Sequence, residues 1–206
     1  MFTRFDGLKT PLGAVALTVA LTQPAWAAAQ VGKPAPNFSG TDSNGKTVKL
    51  SDFKGKVVVL EWTNHDCPFV RKHYDTSNMQ KLQQQATSKG VVWLSIISSA
   101  PGKQGAVSAT QANELTTSRK ASPTAVILDP KGTIGQLYGA RTTPHIYIID
   151  KQGILQYNGA IDSISSADKA DVPKATNYVS SALTNVLAGR PANPATTTPY
   201  GCGVKY

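Results

Sequence analysis

An α/β fold, with a central mixed β-sheet and helices on both of its faces, is predicted by three features of this 206-residue sequence. Short apolar segments rich in Val, Ile and Leu alternate with segments of helical pattern. A turn of hairpin type, at 150–153, joins two strands later in the chain, and a further helical segment follows that hairpin. Alternating strands and helices favour parallel pairing and the hairpin adds antiparallel strands, so the sheet is expected to be mixed.

The first elements follow from β-branched runs and from turn residues. The three valines at 57–59 predict a strand that is buried on both faces, and Pro68 is typical of a first helical turn, where its missing N–H costs nothing. In chain order we expect an extended segment at 31–38, a turn at 41–46, a strand at 47–50, a helical turn at 51–52, a buried strand at 57–62, a helix from Pro68, a break at 75–78 and a second helix at 79–89.

The second half repeats the alternation and ends in a helix. Gly189 follows the last apolar residue of that helix, where a glycine commonly ends the helix. The expected elements are a strand at 91–97, a loop at 98–105, a helix at 109–120, a strand at 124–128, a turn at 129–132, a short helix at 134–138, strands at 145–149 and 154–157, and a helix at 174–187.

The first 27 residues are expected to be a cleaved signal peptide. Arg4 and Lys9 form a positive region, residues 12–21 are apolar but too few to span a bilayer, and Ala25-Trp26-Ala27 is a small-x-small cleavage site. No cysteine follows this segment, which argues against a lipid anchor. We therefore expect a periplasmic or secreted protein, with one domain at 28–190 and a C-terminal tail at 191–206.

The composition restricts the possible functions. A chain with only two cysteines, Cys67 and Cys202, forms at most one internal disulfide, so a scaffold of several bridges is excluded. The net charge of +9 comes from scattered lysines and not from a basic stripe with interleaved aromatic residues, so no nucleic-acid partner is expected. A solvated basic surface is the favoured interpretation, and weak attraction to anionic membranes or acidic proteins is the alternative.

Cys67 is the strongest candidate for chemistry. It lies between the strand at 57–62 and the helix from Pro68, which places it at or beside the helix N-cap. The positive end of a helix dipole stabilises a thiolate and lowers the pKa of a thiol in such a position. A buried core cysteine is the alternative, but it would not require the polar run Thr63–Asp66 or a helix start. We therefore expect a reactive thiol.

The order of elements, the cysteine after the first long strand and the Thr143-Pro144 pair before a later strand together resemble the thioredoxin fold. That resemblance implies a cis peptide bond before Pro144, next to the cysteine. Within the fold, two stretches resemble the redoxin, or AhpC/TSA, family and its peroxiredoxin-like members. The first is the segment from Val31 to Leu60, which contains Val31-Gly32-Lys33-Pro34 and Lys54-Gly55-Lys56. The second is the motif Asn64-His65-Asp66-Cys67-Pro68. The closing Tyr200-Gly201-Cys202-Gly203 is similar to a Gly-Cys tail of such proteins.

The chain departs from two standard motifs of these proteins. Peroxiredoxins carry Pro-x-x-x-Thr/Ser-x-x-Cys, whereas this chain has Leu60 and Asn64 at the first two specified positions and a displaced Thr63. Thioredoxin-like reductases use Cys-x-x-Cys, and here the possible partner positions are Asn64 and Val70.

Cys202 is the candidate resolving cysteine. It lies 12 residues beyond Arg190, so the tail reaches roughly 40 Å when extended, well beyond the radius of gyration of about 16 Å expected for the domain. The tail is therefore long enough to return to Cys67, and we expect an intramolecular Cys67–Cys202 disulfide in the exported protein. The alternative is a free thiol in a disordered tail.

Several other residues could support the cysteines. His65 precedes Cys67 by two residues and His145 follows Pro144, so Cys67, His65 and His145 form an alternative copper site, whereas His73 is expected to be structural. Arg71 and Arg141 are candidates to hold a thiolate or to polarise a peroxide. The resemblance adds Asn64, Thr143 and Pro144 as supporting residues.

These observations predict an exported peroxiredoxin-like thiol oxidoreductase that needs no cofactor. Cys67 would attack a peroxide to give a sulfenic acid, Cys202 would condense with it, and an external thiol reductant would reopen the disulfide. Thiol–disulfide exchange with a protein disulfide, without peroxidase activity, is the second hypothesis. Copper or other soft-metal binding is the third.

Overall fold

A seven-stranded mixed sheet forms the centre of the computed structural model, which describes residues 1–3 and 28–206. Its strands are β1 (Ser39–Asp42), β2 (Thr47–Lys49), β3 (Val58–Trp62), β4 (Val92–Ile97), β5 (Ala125–Leu128), β7 (His145–Ile149) and β8 (Leu155–Gly159), and two further strands, β6 (Thr142–Thr143) and β9 (Cys202–Gly203), form a separate two-stranded sheet. The order in the large sheet is β2-β1-β5-β4-β3-β7-β8. Strands β3, β4 and β5 are parallel, whereas β7 and β8 join antiparallel. The predicted α/β class with a mixed sheet is confirmed.

In the described part of the chain, five α-helices cover the two faces of this sheet. They are α1 (Pro68–Asp75), α2 (Asn78–Thr87), α3 (Ala109–Ser118), α4 (Thr133–Tyr138) and α5 (Tyr178–Leu187). Apolar residues of α1, α2 and α5 pack with Val59 and Trp93 on one face, while α4 packs with Leu60 and Trp62 on the other. Successive side chains of a strand point to opposite faces, so β3 contributes alternately to both clusters.

The first of these clusters contains the sulfur of Cys67, and we call it the cysteine-side cluster. It contains Val57, Val59, Val70, Tyr74, Trp93, Ile146, Ile148 and Tyr157, among others. The second, which we call the opposite cluster, contains Val58, Leu60, Trp62, Tyr138 and Tyr147. The cysteine therefore lies on one face of the sheet. The alternate residues of β3 and β7, such as Leu60 and Tyr147, point to the other face.

The cysteine-side cluster also buries a carboxyl group. Glu61 on β3 accepts hydrogen bonds from Tyr74 Oη at 2.7 Å, Gln83 Nε2 at 3.2 Å, Trp93 Nε1 at 2.8 Å and Ser95 Oγ at 3.0 Å. Burial raises the pKa of Glu61, and these hydrogen bonds oppose that rise. Four donors satisfy the group and join β3 to β4, α1 and α2.

Several element boundaries differ from the sequence prediction. The last helix begins at Tyr178 and not at 174, because Lys169–Lys174, which contains Pro173, forms a separate 3-10 helix, and Asn177 caps the next helix by accepting from Ser180 N at 2.9 Å. The turn at 41–46 is shorter than predicted, since residues to Asp42 belong to β1. Residues 50–53 form a 3-10 helix where a strand end and a helical turn were expected.

The short strands β6 and β9 were not predicted, because two-residue strands have no periodicity. Other local predictions are confirmed: the helix from Pro68, the break before α2, and Gly189 just after the last helix with a φ of +72°. The expected signal peptide lies outside the described residues except for residues 1–3. Within the described part, no helix combines the length and the apolar character needed to cross a bilayer.

Candidate active site around Cys67 and Cys202

Cys67 is the N-cap of α1, as the sequence predicts. Its backbone is extended, with φ −73° and ψ 122°, and Pro68 follows at the first helical position. The sulfur is buried, with Cys67 0% exposed, and it donates a hydrogen bond to Thr143 O at 3.0 Å. The cysteine is thus held between a helix N-terminus, which favours negative charge, and strand β6 just before Pro144.

The C-terminal tail returns to this position. Strand β9 pairs antiparallel with β6, and Cys202 lies directly opposite Thr143. Thr143 Oγ1 also donates to Cys202 O at 3.4 Å, and the Thr143–Pro144 peptide bond is cis, as the resemblance implies. Thr143 therefore contacts both cysteines. The alternative expectation, a free thiol in a disordered tail, is wrong, because the tail pairs with β6.

The two thiols are neighbours, and both are free in this structure. Burial, together with the hydrogen bond and the charge interaction with Cys67, raises the pKa of Cys202 to about 11. Cys202 is half-buried, whereas Cys67 is fully covered. The arrangement is a reduced dithiol pair in which the tail covers the more buried thiol.

Tyr200 attaches the tail to the helix that carries Cys67. Its hydroxyl donates to the Asp162 carboxylate, its ring packs edge-on against Phe69 with centroids 5.9 Å apart, and Lys72 Nζ lies 5.4 Å from its centroid. Lys72 Nζ is 3.4 Å from Asp162 Oδ2 and donates to Ile164 O at 3.0 Å. The Lys72 and Asp162 side chains are 0% and 3% exposed, so this is a buried ion pair.

His73 lies beside this ion pair and is structural, as the sequence predicts. Its Nδ1 accepts a hydrogen bond from Asn78 Nδ2 at 2.9 Å, and its Nε2 is 3.9 Å from Asp162 Oδ2. Burial lowers the pKa of His73 to about 4, the Asp162 charge opposes this, and the Lys72 charge adds to it. The ring is therefore neutral at pH 7.

The end of the tail is also fixed. Ala100 N donates to Lys205 O at 2.8 Å, and Tyr206 Oη donates to Ala140 O at 2.8 Å. The Tyr206 ring covers Gly132 and Gly135, where a Cβ atom would collide with it. Polar contacts therefore hold the tail on both sides of Cys202.

Asn64 joins the turn before Cys67 to the loop at 98–105. Its Oδ1 accepts from Asp66 N at 2.9 Å and its Nδ2 donates to Gln104 O at 3.2 Å. Gly105 N donates to Asp66 Oδ2 at 3.3 Å. None of these contacts involves the sulfur, so Asn64 supports the backbone ahead of Cys67.

Gly105→Ala is expected to lower the free energy of unfolding by about 1–3 kcal/mol more than a control substitution at Gly102 does, the usual cost of overpacking. Gly105 has a φ of +84°, and a Cβ there would overlap the Asn64 side chain. Gly102→Ala is the matched control, because Gly102 has a φ of +77° but nothing within 4 Å of the added atom. Urea unfolding of both variants measures the difference, and equal losses would contradict the packing argument.

His65 and the two arginines do not reach the sulfur. His65 Nε2 is 3.3 Å from Asp66 Oδ1, and Arg71 and Arg141 have exposed side chains. Arg71 contributes its backbone N–H to Cys67 O at 2.9 Å, and Arg141 accepts from Val204 N at 3.0 Å through its carbonyl. The structure gives neither guanidinium a hydrogen bond to the sulfur. That either one holds the thiolate or polarises a peroxide stays a prediction.

His145 faces away from Cys67, so the alternative metal site is not assembled. On β7, Ile146 and Ile148 belong to the cysteine-side cluster, whereas His145 stacks at 4.5 Å on Tyr147 of the opposite cluster. His145 Nε2 donates to Asn158 Oδ1 at 2.6 Å, and burial lowers the pKa of His145 to about 4. Across residues 1–3 and 28–206, no three His, Cys, Asp or Glu side chains group as metal ligands.

Sequence reasoning missed Lys72, Asp162 and Tyr200. The only local signal is Tyr200 itself, which belongs to the tail motif Tyr200-Gly201-Cys202-Gly203. Lys72 and Asp162 are 90 positions apart in the sequence, and charged residues are usually exposed, so their burial was not expected.

Comparisons with known proteins agree with this architecture. The model of the AhpC/TSA family matches residues 31–158. The thiol-disulfide oxidoreductase ResA of Bacillus thuringiensis subsp. konkukian is 33% identical over 124 residues, which are 60% of this chain and 66% of ResA, just under two thirds of that relative's length.

Two solved structures share the fold. An uncharacterized conserved protein from Geobacillus kaustophilus has a TM-score of 0.72 at 25% identity, over 86% of this chain and 92% of its own. A structure named for the thiol:disulfide interchange protein DsbE of Chlorobium tepidum has a TM-score of 0.51 at 27% identity, over 64% and 85% of the two chains. The fold is thioredoxin-like.

Proposed function

Because the chain belongs to the AhpC/TSA family, we propose that it is a two-cysteine thiol–disulfide oxidoreductase in which Cys67 and Cys202 form the redox couple. One observation carries this proposal: Cys202 is paired opposite Thr143, and the carbonyl of Thr143 accepts the hydrogen bond of the Cys67 thiol. The names of the ResA and DsbE relatives support the same class of reaction.

The reaction consists of two exchange steps. Cys67 thiolate attacks one sulfur of a partner's disulfide and the other partner sulfur leaves as a thiolate, which gives a mixed disulfide. Cys202 thiolate then attacks Cys67 Sγ, the second partner sulfur leaves, and a Cys67–Cys202 disulfide remains. An external thiol reductant reopens that disulfide. The partner is reduced by two electrons and this chain is oxidised by two.

Cys67→Ser is expected to reduce activity to background, and Cys202→Ser is expected to trap a mixed disulfide. The probe is insulin disulfide reduction with a thiol reductant, measured for wild type and both variants, and mass spectrometry locates the trapped adduct. A Cys67→Ser variant as active as wild type, or an adduct absent from Cys67, would remove this proposal.

Peroxide reduction at Cys67 is the second candidate, favoured by a specific feature of the chain. No Cys-x-x-Cys pair is present, and the second thiol comes from the C-terminal tail, a position that suits condensation with a sulfenic acid. Cys67 thiolate would attack the O–O bond, giving Cys67 sulfenic acid and an alcohol or water, and Cys202 would condense with it and release water. Disulfide exchange ranks first because the Arg71 and Arg141 side chains are exposed and make no hydrogen bond to the sulfur.

Hydroperoxide consumption separates the two candidates. Peroxide reduction predicts that consumption with a thiol reductant is fast in wild type and at background in Cys67→Ser. Equal background rates in both proteins would remove the peroxidase candidate and leave disulfide exchange in place.

Export accompanies both candidates. In this proposal, residues 1–27 are removed as a signal peptide, residues 28–190 form the redoxin domain, and the tail at 191–206 supplies Cys202. An oxidising compartment predicts an intramolecular Cys67–Cys202 disulfide in the resting protein. Non-reducing peptide mapping of protein with thiols blocked at lysis tests this, and alkylation of both cysteines in a monomer would contradict it.

A further inference from the structure

We propose that Tyr200 is a positioning residue that holds Cys202 against Cys67, and that its contacts with Phe69, Lys72 and Asp162 set how often the tail leaves the Cys67 thiol. We call these four residues the tyrosine latch. The inference rests on the proposed function, because it assigns the latch a role in the Cys67–Cys202 exchange.

The apolar side of the latch joins the two cysteine segments directly. Phe69 lies two residues after Cys67, Tyr200 lies two residues before Cys202, and their rings meet edge to face with centroids 5.9 Å apart. An edge-to-face pair adds stabilisation beyond the area that it buries. Each ring is therefore close in sequence to the sulfur that it helps to place.

The polar side of the latch is buried and directional. The Tyr200 hydroxyl donates to Asp162, which also faces Lys72 Nζ at 3.4 Å and accepts from Ile164 N at 3.1 Å. Lys72 belongs to α1, the helix whose N-cap is Cys67. Because a hydrogen bond to a charged group in a buried site is strong, the hydroxyl fixes the tail to the helix that carries the reacting sulfur.

Backbone hydrogen bonds hold the tail at Ala195, Thr197, Val204 and Lys205, but the backbone ladder at Cys202 itself is short. Strands β6 and β9 share a ladder of only two residue pairs, and short isolated strand pairs are marginal in water. Gly201, between Tyr200 and Cys202, lies so close to Thr143 O that a side chain would not fit. Side-chain contacts therefore contribute to docking at Cys202, from Thr143 Oγ1 on Cys202 itself and from Tyr200 two residues before it.

Docking has two opposite consequences for the chemistry. It raises the effective concentration of Cys202 at Cys67, and it covers Cys67, which is 0% exposed. Weakening the latch must therefore lower the tendency of the two thiols to form a disulfide and, at the same time, expose Cys67 to small reagents. In a protein that stays folded, a loss of stability elsewhere would move neither quantity.

Tyr200→Phe tests the latch, because it removes only the hydroxyl and keeps the ring. Tyr206→Phe is the matched control, since it removes a tail hydroxyl that donates to Ala140 O, away from the cysteines. The first measurement is the equilibrium with glutathione, in which two protein thiols and one oxidised glutathione give the Cys67–Cys202 disulfide and two reduced glutathiones. The second is the rate of Cys67 alkylation by iodoacetamide in a Cys202→Ser background.

We expect Tyr200→Phe to lower the equilibrium constant and to raise the alkylation rate, each about tenfold, the size of effect that a hydrogen bond to a charged group has on an equilibrium. The control is expected to stay within about twofold of wild type in both, since its hydrogen bond is neutral and its partner Ala140 belongs to the opposite cluster. Unchanged values in Tyr200→Phe, or equal changes in both variants, would overturn the proposal. If wild type forms no disulfide at any glutathione ratio, the proposed function fails, and the alkylation rate alone still decides whether the latch covers Cys67.

Discussion

Lys72→Met is expected to lower the free energy of unfolding by about 3–5 kcal/mol, the usual loss when one partner of a buried ion pair is removed. Lys72 is 0% exposed, and Met fills a similar volume without a charge. The Asp162 carboxylate, 3% exposed, would remain in the interior without its cation. Urea unfolding at pH 7 measures the loss.

The double variant Lys72→Met/Asp162→Asn is the decisive comparison. It removes both charges, and the amide oxygen still accepts from Tyr200 and from Ile164 N. Since an intact buried pair and a neutral replacement often have similar stability, most of the loss should be recovered. A double variant less stable than Lys72→Met would show that the charge pair is not the cause.

Acidification from pH 7 to pH 5 is expected to remove about 2 kcal/mol of stability for each of the two buried histidines, His73 and His145. Burial lowers the pKa of both rings to about 4 from the ordinary value of 6.5. Between about pH 4 and pH 6.5, the unfolded chain therefore binds more protons at these two histidines than the folded chain does. Stability from these groups is complete above pH 6.5 and is lost as the pH falls toward 4.

His73→Gln and His145→Gln test this prediction, because glutamine does not titrate. The difference in unfolding free energy between pH 7 and pH 5 should shrink in each variant and shrink further in the double variant. His65→Gln, which removes a partly exposed histidine, serves as the control. Burial raises the pKa of Glu61, which acts in the opposite direction, but this contribution is common to all the variants. An unchanged slope in the double variant would contradict the assignment.

The sequence by itself determined the elements and the position of Cys67. Local patterns predict β3, α1 and α2 closely, because strand and helix periods are properties of neighbouring residues. The same local argument placed Cys67 at a helix N-cap, since Pro68 and the preceding polar run define that boundary. The mixed sheet followed from the alternation of elements and from the Asp150–Gly153 turn.

Only the tertiary structure decided what lies beside Cys67. The return of the tail, the two-residue pairing of β6 with β9, and the burial of Lys72 with Asp162 all join residues that are far apart in the chain. The face occupied by His145 likewise depends on the register of β7 against β3. A one-residue shift of β7 would reverse which face each of its side chains occupies. The docking of the tail rests on the short β6–β9 ladder and on contacts with the buried Lys72–Asp162 pair, and no pattern of neighbouring residues specifies such long-range contacts.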